Sequence, residues 1–205
     1  MLEIKNIVFD MGQVMMKFDE VYFIERLGVE DPEDRKILRR EVFDTVEWVM
    51  MDRGTLKDNE FYDIVKERIP ERLREYAAKL VFEWFDPVVP VEGMADLVNE
   101  LKSKGYGIYL LSNASHRQKE YWQNVPGHEL FDGSVVSADY LVMKPDPKLY
   151  RILLDKYGLV PDECVFIDDF KVNCEGAKYC GMHPVVFRQD IDALRRDLRK
   201  LGIDA

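Results

Sequence analysis

The sequence predicts an α/β protein built on a doubly wound parallel sheet, with an all-helical bundle inserted after the first strand. Short apolar runs alternate with helical patterns along most of the chain, which is the order expected of strand–helix–strand units. The exception is the stretch 17–90, which has an almost wholly helical pattern. We therefore expect a sheet domain formed by residues 1–16 and 91–205, with a helical bundle of residues 17–90 lying on it.

Five short apolar runs are the predicted strands. Each is bounded by polar residues or glycine, as buried parallel strands often are. In chain order they are 7–9, 108–111, 134–136, 164–167 and 184–187.

Between these runs, apolar residues recur three and four positions apart, which predicts helices. In the sheet part, two such patterns end at glycines that can stop a helix, Gly105 and Gly158. In the inserted segment three stripes are predicted: Leu38, Val42, Val46, Val49 and Met50; Phe61, Ile64, Val65 and Ile69; and Leu73, Ala77, Leu80, Val81 and Trp84.

Composition narrows the class of protein. The 205 residues carry a net charge of -10 and are 47% hydrophobic, which suits a globular chain and argues against nucleic acid as a partner. No apolar run approaches the roughly 20 residues that span a bilayer, and the first ten residues do not resemble a signal peptide, so we expect no membrane partner. The three cysteines have no metal-like spacing, and we expect reduced thiols and a cytoplasmic location.

Polar side chains follow four of the predicted strands. Ligands of open parallel sheets bind beyond the carboxyl ends of the strands, so these residues are expected to converge there. Converging carboxylates favour a hard cation such as Mg²⁺, and a lysine with hydroxyl and amide donors suits a phosphoryl group. A carboxylate beside them can attack phosphorus. The residues are Asp10, Ser112, Asn113, Lys144, Asp168 and Asp169.

Four motifs in this order resemble those of the haloacid dehalogenase superfamily, and the resemblance covers essentially the whole chain. They are residues 7–14, 110–113, 144–146 and 165–169. It implies a Rossmann-like core, and the inserted helices resemble the superfamily's small helical cap. The sequences of these motifs, together with residues 52–55 in the cap, are most similar to those of the bacterial α-D-glucose-1-phosphate phosphatase subgroup.

The resemblance also implies roles in catalysis. Asp10 is expected to be the nucleophile, and Ser112 and Asn113 are expected to hold the phosphoryl oxygens. Lys144 is expected to neutralise the nucleophile and the phosphate. Arg53, beside a glycine in the cap, is a candidate substrate contact.

The implied Mg²⁺ site uses Asp10, the backbone carbonyl of Gly12, and Asp169 as direct ligands. Asp168 is expected to act through water or by orienting the lysine, and Asn173 to support a metal-bound water.

One position departs from most phosphatases of the superfamily. They carry an acid–base Asp two residues after the nucleophile, whereas this chain has Gly12, as does the glucose-1-phosphatase subgroup. General acid–base catalysis typically raises a reaction rate by about 10²–10⁴-fold. Because Gly12 has no side chain, this chain has no obvious group for the proton transfer.

The preferred interpretation is a Mg²⁺-dependent phosphatase for a small phosphorylated metabolite, with sugar phosphates favoured, acting as a monomer or homodimer. One alternative is a phospho-metabolite binding or regulatory module that has lost turnover, which Gly12 favours. The other is a C–halogen hydrolase. The family's dehalogenases need no metal, so the pair Asp168 and Asp169 argues against it.

Overall fold

The computed structural model describes residues 3–205. Within them, five parallel strands form one sheet in the order β3–β2–β1–β4–β5. The predicted fold class is confirmed, and each predicted run ends within one residue of an observed strand. The strands are β1 (Asn6–Phe9), β2 (Gly107–Ser112), β3 (Gly133–Val136), β4 (Cys164–Asp168) and β5 (His183–Val186).

Ten α-helices lie in the described part of the chain. None of them is both long and apolar enough to cross a bilayer. They are α1 (Glu20–Arg26), α2 (Pro32–Leu38), α3 (Val46–Arg53), α4 (Asp58–Arg68), α5 (Arg74–Phe82), α6 (Met94–Ser103), α7 (Gln118–Trp122), α8 (Pro147–Tyr157), α9 (Lys171–Tyr179) and α10 (Ile191–Lys200).

The central strand β1 is buried on both faces. Successive side chains of a strand point to opposite sides, so its residues enter two different apolar clusters. Ile7 and Phe9 belong to a large apolar cluster that includes residues of α6, α10 and the inserted helices. Val8 belongs to a second cluster with residues of α8 and α9. Side chains from the inserted helices thus share one continuous core with this face of the sheet.

The chain enters and leaves the inserted helices through two adjacent segments. Met16 forms an isolated bridge with Pro90, and the Lys17 N–H donates to the Val89 carbonyl at 2.8 Å. This pairing brings the two ends of the insertion together beside the sheet. The proposed limits 17–90 stay a prediction.

The first helical stripe predicted in the insertion is interrupted. A π-helical turn at Arg39–Phe43 follows α2, and Thr45 then caps α3 by accepting from the Trp48 N–H at 3.1 Å. Val46 and Val49 are therefore 66% and 44% exposed instead of lying in the core. The prediction of a single stripe was wrong because the N-cap residue Thr45 begins a new helix, and this helix buries a different face.

Candidate active site

Asp10 lies at the carboxyl end of β1 and is 8% exposed. Its backbone N–H donates to the Ile167 carbonyl of β4 at 2.8 Å, which extends the β1–β4 pairing to this residue. Its Oδ1 accepts from the Met11 N–H at 2.7 Å. The carboxylate is therefore held at the sheet edge by its own strand pairing and by the loop that follows.

Lys144 joins two carboxylates at the centre of the site. Its Nζ lies 2.7 Å from Asp10 Oδ1 and 2.7 Å from Asp168 Oδ2. Burial lowers the pKa of Lys144, but the attraction of Asp10 and then of Asp168 outweighs it, and the pKa is raised overall. The ammonium therefore stays charged between the two acids.

Asp168 is fully buried and its oxygens have other partners besides Lys144. The Phe170 N–H donates to Oδ1 at 2.8 Å, and the Asn173 amide lies 3.1 Å from both oxygens. These contacts favour the predicted role of orienting Lys144. They also place Asn173 on Asp168, as a support for that carboxylate.

Asn113 exchanges two hydrogen bonds with the backbone of Lys144. Its Nδ2 donates to the Lys144 carbonyl at 3.0 Å, and its Oδ1 accepts from the Lys144 N–H at 2.8 Å. The side chain thus positions the lysine loop, a role that its place after β2 did not suggest. Ser112 Oγ, by contrast, is buried and has no hydrogen-bond partner within residues 3–205.

The three acids fit a divalent cation. Asp10, Asp168 and Asp169 each offer an oxygen within 4.8 Å of the others. When all are ionised, three carboxylates against one ammonium leave two negative charges, which an ion such as Mg²⁺ would offset. Burial raises the pKa of Asp10, against the pull of Lys144, and burial also raises the pKa of Asp169. Repulsion from the Asp168 carboxylate raises both pKa values further.

A cavity of about 210 Å³ opens above Asp10. Most of its wall is apolar, and four of its thirteen lining residues are aromatic. No lysine, arginine or histidine lines it among the described residues. Its lining residues are Asp10, Met11, Gly12, Gln13, Met16, Phe18, Trp48, Asp52, Trp84, Asn113, Ala114, Tyr121 and Asp169.

Two of the aromatic residues join the inserted helices to the sheet part. The ring centroids of Trp84 and Tyr121 lie 5.2 Å apart, and Trp84 lies 5.1 Å from Phe18. The inserted helices therefore form one wall of the cavity and the sheet edge forms its floor.

Asp52 is a cavity residue that the sequence analysis did not single out. It faces the cavity from the last turn of α3, one turn after Trp48, since residues four apart share a helix face. Arg53, the predicted substrate contact, is exposed and does not line the cavity. Asp52 lies four residues after Trp48, and this spacing could have identified it in the sequence as a residue on the same face of the helix.

The fold and site define a class of protein in which a cluster of carboxylates stands at the edge of a parallel sheet beneath a helical cap. The haloacid dehalogenase-like hydrolase family model matches residues 4–181, and the chain belongs to this family.

Among curated proteins, the chain is 25% identical over 190 residues to the phosphorylated carbohydrates phosphatase of Thermotoga maritima. The match covers 87% of this chain and 82% of that protein. Some relatives are much longer, and the chain spans 14% of one of them.

Solved structures share the fold. The HAD family enzyme BT-2542 of Bacteroides thetaiotaomicron, in complex with magnesium and inorganic phosphate, gives a TM-score of 0.66 at 21% identity, covering 93% of this chain and 98% of that one. The L-2-haloacid dehalogenase of Xanthobacter autotrophicus, with chloropropionic acid covalently bound, gives 0.66 at 20% identity, covering 98% and 85%. At these identities the likeness establishes the fold alone.

Proposed function

We propose that this chain is a Mg²⁺-dependent phosphatase that hydrolyses a small phosphorylated metabolite through an aspartyl-phosphate on Asp10. One observation carries the proposal: the Lys144 ammonium lies 2.7 Å from both Asp10 and Asp168, and Asp169 adds a third carboxylate beside them. The cluster combines a carboxylate nucleophile, a fixed cation and oxygen ligands for a divalent ion. These are the groups that phosphoryl transfer requires.

The reaction has two steps. A carboxylate oxygen of Asp10 attacks phosphorus, and the bond from phosphorus to the leaving oxygen breaks. Water then attacks the same phosphorus, which releases inorganic phosphate and restores the carboxylate. Lys144 offsets negative charge on the phosphoryl oxygens. The hydroxyl of Ser112, which has no hydrogen-bond partner within residues 3–205, is free to donate to one of them.

Asp10, Asp169 and the backbone carbonyl of Gly12 would hold Mg²⁺, and Asp168 would act by fixing Lys144. When bound, the ion supplies positive charge that offsets the carboxylates and the phosphoryl group. Asn113 keeps the lysine loop in place through its two backbone hydrogen bonds.

We assign an uncharged leaving group, with sugar phosphates favoured. The cavity wall offers aromatic faces from Phe18, Trp48 and Trp84 but no cationic side chain among the described residues. A second anionic group on the substrate would find no partner there, whereas the apolar face of a sugar ring can pack on aromatic rings. The name of the Thermotoga relative, a phosphatase of phosphorylated carbohydrates, supports the same class.

The proposal includes a cytoplasmic location and action as a monomer or homodimer. The thiols of Cys164, Cys174 and Cys180 are free, as expected in a reducing compartment. The excess of acidic residues does not suit nucleic acid as a partner.

The test is release of inorganic phosphate from a panel of sugar phosphates by the purified chain, with Mg²⁺ and with EDTA. We expect turnover that requires Mg²⁺ and that is abolished in Asp10→Asn, whose amide is nearly isosteric but is not a competent nucleophile. Near-wild-type turnover by Asp10→Asn would contradict covalent catalysis at this residue. Circular dichroism of the variant checks that the fold is retained.

Two further measurements distinguish the alternatives. Halide release from a 2-haloacid without added metal would favour the dehalogenase interpretation, which the covalent complex of the Xanthobacter neighbour motivates. Binding of phosphorylated ligands without any turnover would favour the regulatory module.

A further inference from the structure

Gly12 leaves proton transfer to the leaving group without a residue on the β1 loop. A Cβ built at Gly12 meets nothing within 4 Å, so the space that a catalytic side chain would use there is open. The proton must then come from another group around the cavity. Its titratable lining residues are Asp10, Asp52, Tyr121 and Asp169.

Three of these four are unsuitable or already used. Asp10 is the nucleophile, and Asp169 stands with it in the metal cluster. Tyr121 is 2% exposed, and burial raises its pKa well above the usual value, which makes it a poor proton donor and leaves no phenolate to act as a base. Asp52 is the remaining group, and it lines the cavity from the cap.

The backbone of Asp52 is held rigidly against the sheet part. Its carbonyl accepts a hydrogen bond from the hydroxyl of Ser137, which itself accepts from the Ala114 N–H at 2.9 Å. Two residues later the backbone of Gly54 approaches Ala138 so closely that a Cβ would lie 2.3 Å from its carbonyl oxygen. These contacts fix the height of the last turn of α3 above the site.

The surroundings of Asp52 favour its protonated form. Burial raises its pKa to about 8, while the Ser115 N–H and the Trp48 side chain act in the opposite direction. The facing charges of Asp10 and Asp58 raise the pKa further. Arg117, a cation beside Asp58, is engaged with Asp58, 3.9 Å away, and with Glu120, 2.7 Å away.

We propose that Asp52 is the acid and base of the reaction, supplied by the cap in place of a residue at position 12. This role rests on the proposed phosphatase function. In the first step the Asp52 carboxyl gives its proton to the leaving oxygen as the phosphorus–oxygen bond breaks and Asp10 is phosphorylated. In the second step the Asp52 carboxylate takes a proton from the attacking water, phosphate leaves, and both aspartates return to their starting states.

The experiment compares phenyl phosphate with p-nitrophenyl phosphate, two esters of similar shape whose leaving groups differ in basicity. Asp52→Asn should lower kcat/KM for phenyl phosphate by about 10²-fold or more, because that leaving group needs the proton, and should lower it far less for p-nitrophenyl phosphate. The variant should also give a burst of nitrophenol, because the aspartyl-phosphate forms but its hydrolysis lacks the base.

The matched control is Asp63→Asn, which removes the same charge from an exposed acid on the cap helix α4 that does not line the cavity. It should leave the ratio of the two kcat/KM values unchanged and give no burst. Thermal unfolding of both variants checks that the fold is intact.

Three outcomes would overturn the proposal. Equal losses for the two esters without a burst, or no loss, would mean that Asp52 has no part in proton transfer while the phosphatase function stands. Absence of turnover of either ester by the wild-type chain with Mg²⁺ would overturn the proposed function, and the role of Asp52 with it.

Discussion

The hydroxyl of Ser137, in the turn that follows β3, donates a hydrogen bond to the backbone carbonyl of Asp52 at the end of α3. Ser137 is fully buried and also accepts from the Ala114 N–H, in the segment after β2. A single side chain therefore joins the last turn of a cap helix to two loops at the carboxyl edge of the sheet. The cap is positioned at the point where it meets the active site.

The backbone of Gly54 approaches Ala138 closely at this junction, and replacing this glycine should be costly. Gly54→Ala places a Cβ 2.3 Å from the Ala138 carbonyl oxygen and adds a side chain at φ +83°. Gly28→Ala is the matched control, because Gly28 has φ +76° but an open environment. The control should lose about 1 kcal/mol in free energy of unfolding from the left-handed backbone. Gly54→Ala should lose about 2 kcal/mol more, as measured by urea unfolding.

Equal losses in the two glycine variants would mean that the cap turn can move away from Ala138 without cost. If phosphatase activity falls in Gly54→Ala but not in Gly28→Ala, the turn has moved and has displaced Asp52.

Asp169 is the exposed acid of the cluster, and removing it tests the metal site. Asp169→Ala deletes one hard oxygen ligand, so the Mg²⁺ concentration for half-maximal activity should rise roughly tenfold or more. Asp155→Ala, an exposed acid on α8, is the control and should leave the Mg²⁺ requirement unchanged. A Mg²⁺ titration that is the same for Asp169→Ala and wild type would move the ligand role to Asp168 or elsewhere.

Gly12→Asp tests where the proton comes from. Open space around the Gly12 Cβ position predicts that the variant folds. If Asp52 already supplies the proton, Gly12→Asp alone should change the phenyl to p-nitrophenyl ratio of kcat/KM little. In the Asp52→Asn background the new carboxyl should restore much of the lost phenyl phosphate activity. A large rise of the ratio in the Gly12→Asp single variant would show that the wild type lacks an effective acid.

Asp52 should also make stability depend on pH. Its pKa is about 8 in the folded chain against an ordinary value of 3.8, so the folded state retains a proton that the unfolded state has released. Stability from this group is therefore present below pH 4 and is lost as the pH rises through 8. Asp52→Asn removes this loss because the amide stays neutral.

The Tm of Asp52→Asn minus that of the wild type should be near zero around pH 4 and should reach about 3 °C or more at pH 9. Differential scanning calorimetry at constant ionic strength measures it, with Asp63→Asn, at an exposed acid of α4, for comparison. A difference that does not change with pH would mean that the Asp52 carboxyl titrates normally in the folded chain.

Much of the fold could be predicted because local pattern and burial agree in the sheet. Val8 and Phe166 lie in strands covered on both faces, so these strands are continuous apolar runs in the sequence. The break between α2 and α3 could not be predicted this way. Val46 and Val49 continue the helical spacing, and only the capping by Thr45 turns them towards solvent.

The sequence by itself determined the parallel sheet, the inserted helices, and the convergence of Asp10, Lys144 and Asp168, because residues that follow neighbouring parallel strands must meet at one edge. The tertiary structure alone decided that Asn113 binds the Lys144 backbone and that Asp52, instead of Arg53, faces the cavity. These outcomes depend on contacts between residues that are 31 and 85 positions apart, Asn113 with Lys144 and Asp52 with Ser137. The angle at which a cap helix rests on a sheet is set by such packing and has no periodic signal in the chain.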